Sequence, residues 1–305
     1  DQGVDLKKWK PENYGKKFYG PSTLRKGIEN SRNLMTIRIA QYLGMEKVAE
    51  IANRTGVMEN MPNVLSMALG AGETSLIDLT AAYASFVNGG KKVEPSLIDR
   101  IQDRRGKNIF LENFAACTNC DEPYIEENPM PKLVNSSESI FDEAKSYQMV
   151  SILKGAVDRG TGRKTKIDGI EIAGKTGTTN NNTDAWFIGF TSDLIIGVYA
   201  GFDKPKSLGK RETGSSVAVP IFRDFVKNYY QEKPILPFTI PNGIELIKIN
   251  YDTGEIASNF NSSESVYEAF SKSDNLVSSG EILVGSEGFQ IIEVADEVME
   301  EYVIY

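Results

Sequence analysis

Lys175, Thr176 and Thr178 stand in Gly174-Lys175-Thr176-Gly177-Thr178-Thr179, where a cation and three hydroxyls are interleaved with two glycines. An ammonium flanked by hydroxyls suits a carboxylate. At about 4 Å and an effective dielectric of about 20, that ion pair is worth up to about 4 kcal/mol, against about 1 kcal/mol net for a neutral hydrogen bond. Glycine within a strand often marks a place where a ligand or another backbone comes close. Upstream, Ile170 and Ile172 alternate with Glu171 and Ala173, the period of a half-buried strand. Asn180 to Thr183 is turn chemistry, and Asp184 to Phe190 reads as a second, aromatic-rich strand. The pattern predicts a hairpin whose first strand could receive an extended peptide ending in a carboxylate. A surface hairpin without function would use the same residue types.

Gly169-x-x-x-x-Gly174-Lys175-Thr176 also fits the phosphate-loop pattern letter for letter. That loop needs a strand before its first glycine and a helix straight after its lysine. Here the four middle residues are Ile-Glu-Ile-Ala, which favour a strand. Gly177, two threonines and three asparagines follow, and they open a helix badly. The nucleotide-binding reading is therefore disfavoured.

The chain contains 305 residues and no histidine. Every Ser-His or Cys-His nucleophile scheme is excluded, and with it the commonest metal ligand. Any acyl-transfer chemistry must use lysine, a carboxylate or a terminal amine as base. Forty-two acidic against 34 basic residues give a net charge of −8, which argues against non-specific nucleic-acid binding. No apolar run approaches the roughly 18 residues of a membrane span. The first residue is Asp1, and no signal sequence precedes it. The sequence is expected to be an internal piece of a longer chain.

The elements that must position Lys175 are legible in outline. Ser22 to Tyr42 is helical by pattern, with Ser22 as a cap, and polar Ser31-Arg32-Asn33 interrupts it. Further helices are predicted over Met45–Thr55, Thr74–Phe86, Phe141–Val157 and Ser215–Tyr230. The last should turn Val217, Ile221, Phe225 and Val226 inward. Leu97–Ile101 and Asn108–Leu111 read as a strand pair, and Leu194–Phe202 as a buried strand. Phe238–Ser258 reads as a hairpin turning at Asp252-Thr253-Gly254. Short turns join the strands between Ile170 and Phe202, so they should be antiparallel neighbours. The expected class is α+β, an antiparallel sheet flanked by helices. The expected division is residues 1–233 as one domain and 234–305 as an extension with an acidic tail.

Ser31-Arg32-Asn33 and Lys175-Thr176-Gly177-Thr178 stand in the order of the S-x-N and K-T-G motifs of penicillin-binding transpeptidases and serine β-lactamases. WKPENYG, FYGPSTLRKGIENSRNLMTIRIAQYLG, RGTG and AGKTGTTNNNTDAWFIGF carry the likeness further. Over roughly residues 9–230 the chain resembles the transpeptidase domain of bifunctional class A penicillin-binding proteins of the 1A type. That resemblance implies a cofactor- and metal-free D,D-transpeptidase acting on stem peptides that end in D-Ala-D-Ala and inhibited by β-lactams. It implies a periplasmic location, with an upstream glycosyltransferase and an inner-membrane anchor in the parent. Ser31, Asn33 and Lys175 would be catalytic, and Thr176, Gly177 and Thr178 would bind substrate. A relative that senses β-lactams or binds cell-wall peptide without catalysis is the alternative.

The family's nucleophile motif, S-x-x-K, lies upstream of S-x-N. Here Ser151–Lys154 and Ser207–Lys210 have the spacing but follow Ser31. Both read as chance, as does Ser273-Asp274-Asn275 for S-x-N. The chain is thus expected to be incomplete at its N-terminus and inactive alone. Cys117 and Cys120 lack further cysteine or histidine for a zinc site. In the oxidising compartment the resemblance implies, a disulfide is expected, worth about 2 kcal/mol for so short a loop. Two free thiols are the alternative.

Overall fold

The protein is described by a computed structural model over residues 9–112, 116–118, 132–134, 137–257, 265–273, 280–284 and 290–294. Four helices lead: α1 (Leu24–Glu29), α2 (Asn33–Leu43), α3 (Met45–Arg54) and α4 (Leu76–Val87). Two short pairs follow, β1 (Arg100–Gln102) with β2 (Asn108–Leu111), and β3 (Ala116–Thr118) with β4 (Lys132–Val134). Then come α5 (Glu143–Asp158), β5 (Ala173–Thr178), β6 (Asp184–Phe190), β7 (Ile195–Gly201) and α6 (Val219–Tyr229). Two further antiparallel pairs end the chain: β8 (Ile244–Asn250) with β9 (Ser265–Ser271), and β10 (Gly280–Val284) with β11 (Gln290–Val294).

The central sheet has the order β5-β6-β7, antiparallel throughout, with Lys175 opposite Ile188 and Trp186 opposite Tyr199. Phe187 and Phe190 are three apart on β6 and so face opposite ways. Phe187 meets Phe222 of α6 edge-on, with ring centroids 4.9 Å apart. Phe190 packs with Ala173 and with Val150 and Leu153 of α5. Helices therefore cover both faces of a sheet whose middle strand is buried from Phe187 to Phe190. Each such side chain contributes about 1.5–3 kcal/mol on full burial. The α+β expectation holds.

Several expected elements shift. The first helix is split at Ser31-Arg32, and its cap is Thr23, whose hydroxyl accepts from the Lys26 amide, not Ser22. The first hairpin strand begins at Ala173, because Ile170 instead bridges to Ile167. β7 is only half-buried, with Tyr199 exposed and Val198 buried, because it is an edge strand. α6 turns Val219, Phe222 and Val226 inward, a spacing of three and four, and leaves Ile221 and Phe225 more than half exposed at 54% and 52%. Asp252-Thr253-Gly254 does turn the chain, and Ile249 bridges Ile256, but the ladder partner of β8 is β9. The phosphate-loop reading fails on geometry, since Gly174-Lys175-Thr176 lies within a strand and no α-helix follows it. Among the described residues no helix is long and apolar enough to cross a membrane.

Candidate functional site

Ser31 closes α1. Its amide donates to the Ile28 carbonyl at 3.1 Å, and the Arg32 amide reaches back to the Gly27 carbonyl at 2.9 Å. This paired closure requires a left-handed residue just past the helix, and glycine usually occupies that place. Here Ser31 holds φ 54°. A side chain in this region costs about 1–2 kcal/mol. The strain places the hydroxyl at the helix end, exposed and facing β5.

β5 is the outer strand of the sheet, and Lys175 reaches from it to the turn. Its Nζ donates to Ser31 Oγ at 2.9 Å and to the Thr176 carbonyl at 3.1 Å. Lys175 keeps some solvent-accessible surface, but protein atoms crowd around it. That loss of water pushes its pKa down to about 8. A lysine poised there can hold a proton or release it near neutral pH.

The two motifs are tied by a residue to which the sequence assigned no role, although its RGTG stretch carries part of the family likeness. Thr161 lies in Arg159-Gly160-Thr161-Gly162. Its amide donates to the Glu29 carbonyl at 3.1 Å, and its hydroxyl shares a hydrogen bond of 2.8 Å with Thr176. Gly160 makes the approach possible: a Cβ there would lie 2.1 Å from the Glu29 carbonyl oxygen. A hydroxyl between two glycines in a polar stretch was the available signal. Further along β5, the Thr178 hydroxyl accepts from the Gly214 amide at 3.0 Å. A Cβ on Gly214 would lie 2.4 Å from the Trp186 carbonyl oxygen and 2.6 Å from that of Gly177.

Asn33 begins α2 beside Ser31, but its side-chain amide donates to the Glu12 carbonyl at 2.9 Å. The neighbouring Asn13 side chain accepts from the Leu34 amide at 3.2 Å and donates to the Lys17 carbonyl at 2.8 Å. Arg32 lays its guanidinium 4.1 Å over the Tyr19 ring and donates to the Ser22 hydroxyl at 2.6 Å. The structure thus joins Ser31, Lys175 and Thr176, while Asn33 is occupied by the segment that wraps the turn.

Ser151 and Lys154 are each engaged by other partners. Ser151 Oγ accepts from Arg25 at 2.8 Å, and Lys154 pairs with Glu171 at 3.2 Å and Asp158 at 3.8 Å. Ser207 Oγ accepts from the Gly209 amide in a loop. Asp184 accepts from Thr179, Thr183 and Tyr199, which anchors the β5–β6 hairpin. Cys120, the Cys117 side chain, and Asp274 and Asn275 lie outside the described residues. No group of metal-ligating side chains occurs among the described residues.

A left-handed serine thus faces a lysine of lowered pKa on an edge strand. Residues 1–227 match the penicillin-binding protein transpeptidase domain, and the chain belongs to that family. Among its relatives, penicillin-binding protein 1A of Rickettsia conorii is 45% identical over 261 residues, covering 84% of this chain and 32% of the relative. Penicillin-binding protein 1A of Pseudomonas aeruginosa is 32% identical over 317 residues, covering 94% and 38%. The crystal structure of penicillin-binding protein 1A from Haemophilus influenzae superposes with a TM-score of 0.74 at 29% identity, covering 90% of this chain and 43% of that one. The chain spans about a third of the length of these curated relatives.

Proposed function

We propose that this chain supplies the substrate-binding half of a peptidoglycan D,D-transpeptidase whose nucleophilic serine lies in sequence preceding Asp1. The contact of Lys175 Nζ with Ser31 Oγ at 2.9 Å, on an open strand edge, carries the reading. Lys175 as an ammonium holds the terminal carboxylate of a stem peptide ending in D-Ala-D-Ala. Thr176 and Thr178 orient that carboxylate, and the peptide lies along β5. The serine oxygen forms an ester with the penultimate carbonyl carbon as the amide bond to the last D-Ala breaks. The departing amine takes a proton passed through Ser31, with Lys175 close enough to replenish it. An amine of a neighbouring stem then displaces the serine and forms the cross-link. A β-lactam stops at the ester. The parent works in the periplasm from an inner-membrane anchor, beside a glycosyltransferase.

On this reading the chain alone forms no covalent adduct with a fluorescent penicillin, and restoring a preceding S-x-x-K segment produces one. Intact mass decides. A stable penicilloyl adduct on the isolated chain, lost in Ser151→Ala, would overturn the assignment of the nucleophile.

A further inference from the structure

Glu29 ends α1 two residues before Ser31, and its side chain has no solvent exposure, at 0%. Its carboxylate accepts from Arg159 twice, at 2.6 and 3.1 Å, from Arg25 at 3.3 Å and from the Tyr251 hydroxyl at 2.8 Å. Its backbone carbonyl receives Thr161, which in turn bonds Thr176 on β5. A buried carboxylate is tolerated only when fully paired, and losing one partner is expensive. Glu29 is therefore fixed from every side, and the strained turn that carries Ser31 is fixed with it.

Much of this clamp comes from the chain's last third. Tyr251 lies just past β8, and its backbone carbonyl also accepts from the Thr23 hydroxyl at 3.1 Å. Its hydroxyl further accepts from the Asn30 side chain at 3.1 Å. Burial, and then the bond to Glu29, push the Tyr251 hydroxyl's pKa upward, so it stays protonated and donates. Asp252 pairs with Lys26 of α1. Glu268 of β9 takes both arms of Arg25, whose remaining donors go to Glu29 and Ser151. The family match ends at residue 227, so Tyr251, Asp252 and Glu268 all lie beyond it.

We infer that the β8–β9 unit is a positioning device for the reaction, in which Tyr251 and Glu268, acting through Glu29 and Arg25, hold Ser31 against Lys175. The inference deepens the transpeptidase reading and rests on it. Neither Tyr251 nor Glu268 bonds Lys175, so any effect of theirs on the lysine is indirect, through α1 and through α5, which Arg25 reaches at Ser151. Holding a proton-relaying hydroxyl in place matters to rate more than to affinity, and a small displacement from a distant change can cost up to about 100-fold.

Two measurements test it. In the isolated chain, the titration midpoint of Lys175 is followed by NMR of labelled lysine. Burial alone depresses that midpoint. Tyr251→Phe and Glu268→Gln should loosen the turn, admit water and move the midpoint up from about 8 towards 10.5. Tyr267→Phe, on an exposed side chain of the same unit, should leave it unmoved. In the protein that includes the preceding nucleophile segment, Tyr251→Phe should slow acylation by penicillin about tenfold or more, with the pre-acylation binding constant unchanged. Glu268→Asp should recover part of the rate lost in Glu268→Gln. A Lys175 midpoint identical in wild type and both variants overturns the inference, whatever the protein acylates. So does wild-type acylation by Tyr251→Phe. If the wild-type protein with its nucleophile segment is never acylated, the transpeptidase reading falls, and the Lys175 titration still decides whether β8–β9 governs the turn.

Discussion

Lys175 and Ser31 are 144 residues apart in sequence, yet their side chains meet at 2.9 Å. A helix end and a strand edge are brought face to face, with Thr161 fastening one to the other. The lysine loses water there and pairs with no carboxylate among the described residues, which leaves it ready for one from a ligand.

Removing that ammonium should abolish selection for a terminal carboxylate. In the protein carrying its nucleophile, Lys175→Ala is expected to lower penicillin acylation about 100- to 1,000-fold, following the up to about 4 kcal/mol available to the ion pair. Circular dichroism should be unchanged. Lys175→Arg keeps charge but not shape and should restore only part of the rate. An alanine variant acylated at the wild-type rate would refute the role.

The depressed lysine also sets a pH dependence. Between about 8 and 10.5 the unfolded chain holds the lysine proton and the folded chain does not. Stability therefore rises with pH through that window, and the burial penalty is fully felt below it. Urea unfolding of wild type and Lys175→Met should converge as pH climbs from 7 to 10, with the methionine variant more stable at pH 7. A carboxylate ligand needs the ammonium, so its affinity should decline above pH about 8.

Ser31→Gly separates strain from function. Glycine adopts the left-handed turn freely, so urea unfolding should show a gain of about 1 kcal/mol. The Lys175 contact is lost with the hydroxyl, and acylation should fall even as the fold strengthens. A variant less stable than wild type would show that the serine is not strained.

Gly214→Ala tests the packing under β5. Its methyl would meet two backbone carbonyls below 3 Å, at 2.4 and 2.6 Å, and neither can rotate away. A loss of about 1–3 kcal/mol is expected in chemical unfolding. Wild-type stability would mean that the strand shifts freely.

Periodicity and turn chemistry were enough to find β6, α3 and α4, because each buries or caps itself by local rules. The motif residues were also legible, since Lys175 among glycines is unusual on any strand. What the sequence hid was pairing at long range. Thr23 and Ser22 look alike as caps, and only the contact of the Thr23 hydroxyl with the Lys26 amide separates them. Val217, Ile221 and Phe225 make as good an apolar stripe as Val219, Phe222 and Val226 until Phe187 selects the second. Asn33 was expected to be catalytic, and no local pattern reveals that the Glu12 carbonyl occupies its side chain. Nothing local in the sequence singles out Glu29, Arg25 or Tyr251, because the partners that bury them stand as far as 243 positions away.

That separation also has a consequence in time. Glu29 and Tyr251 are 222 residues apart. At roughly 5–20 residues per second, synthesis of the stretch between them takes about 10–45 s. Until Tyr251 emerges, Glu29 has no hydroxyl donor, and Arg25 waits longer still for Glu268. The turn that presents Ser31 is finished only by a residue made 222 positions after Glu29. Contacts of such sequence separation are also slow to close. The chain passes through synthesis with its sheet and helices ready to form and its Ser31–Lys175 pair still unset.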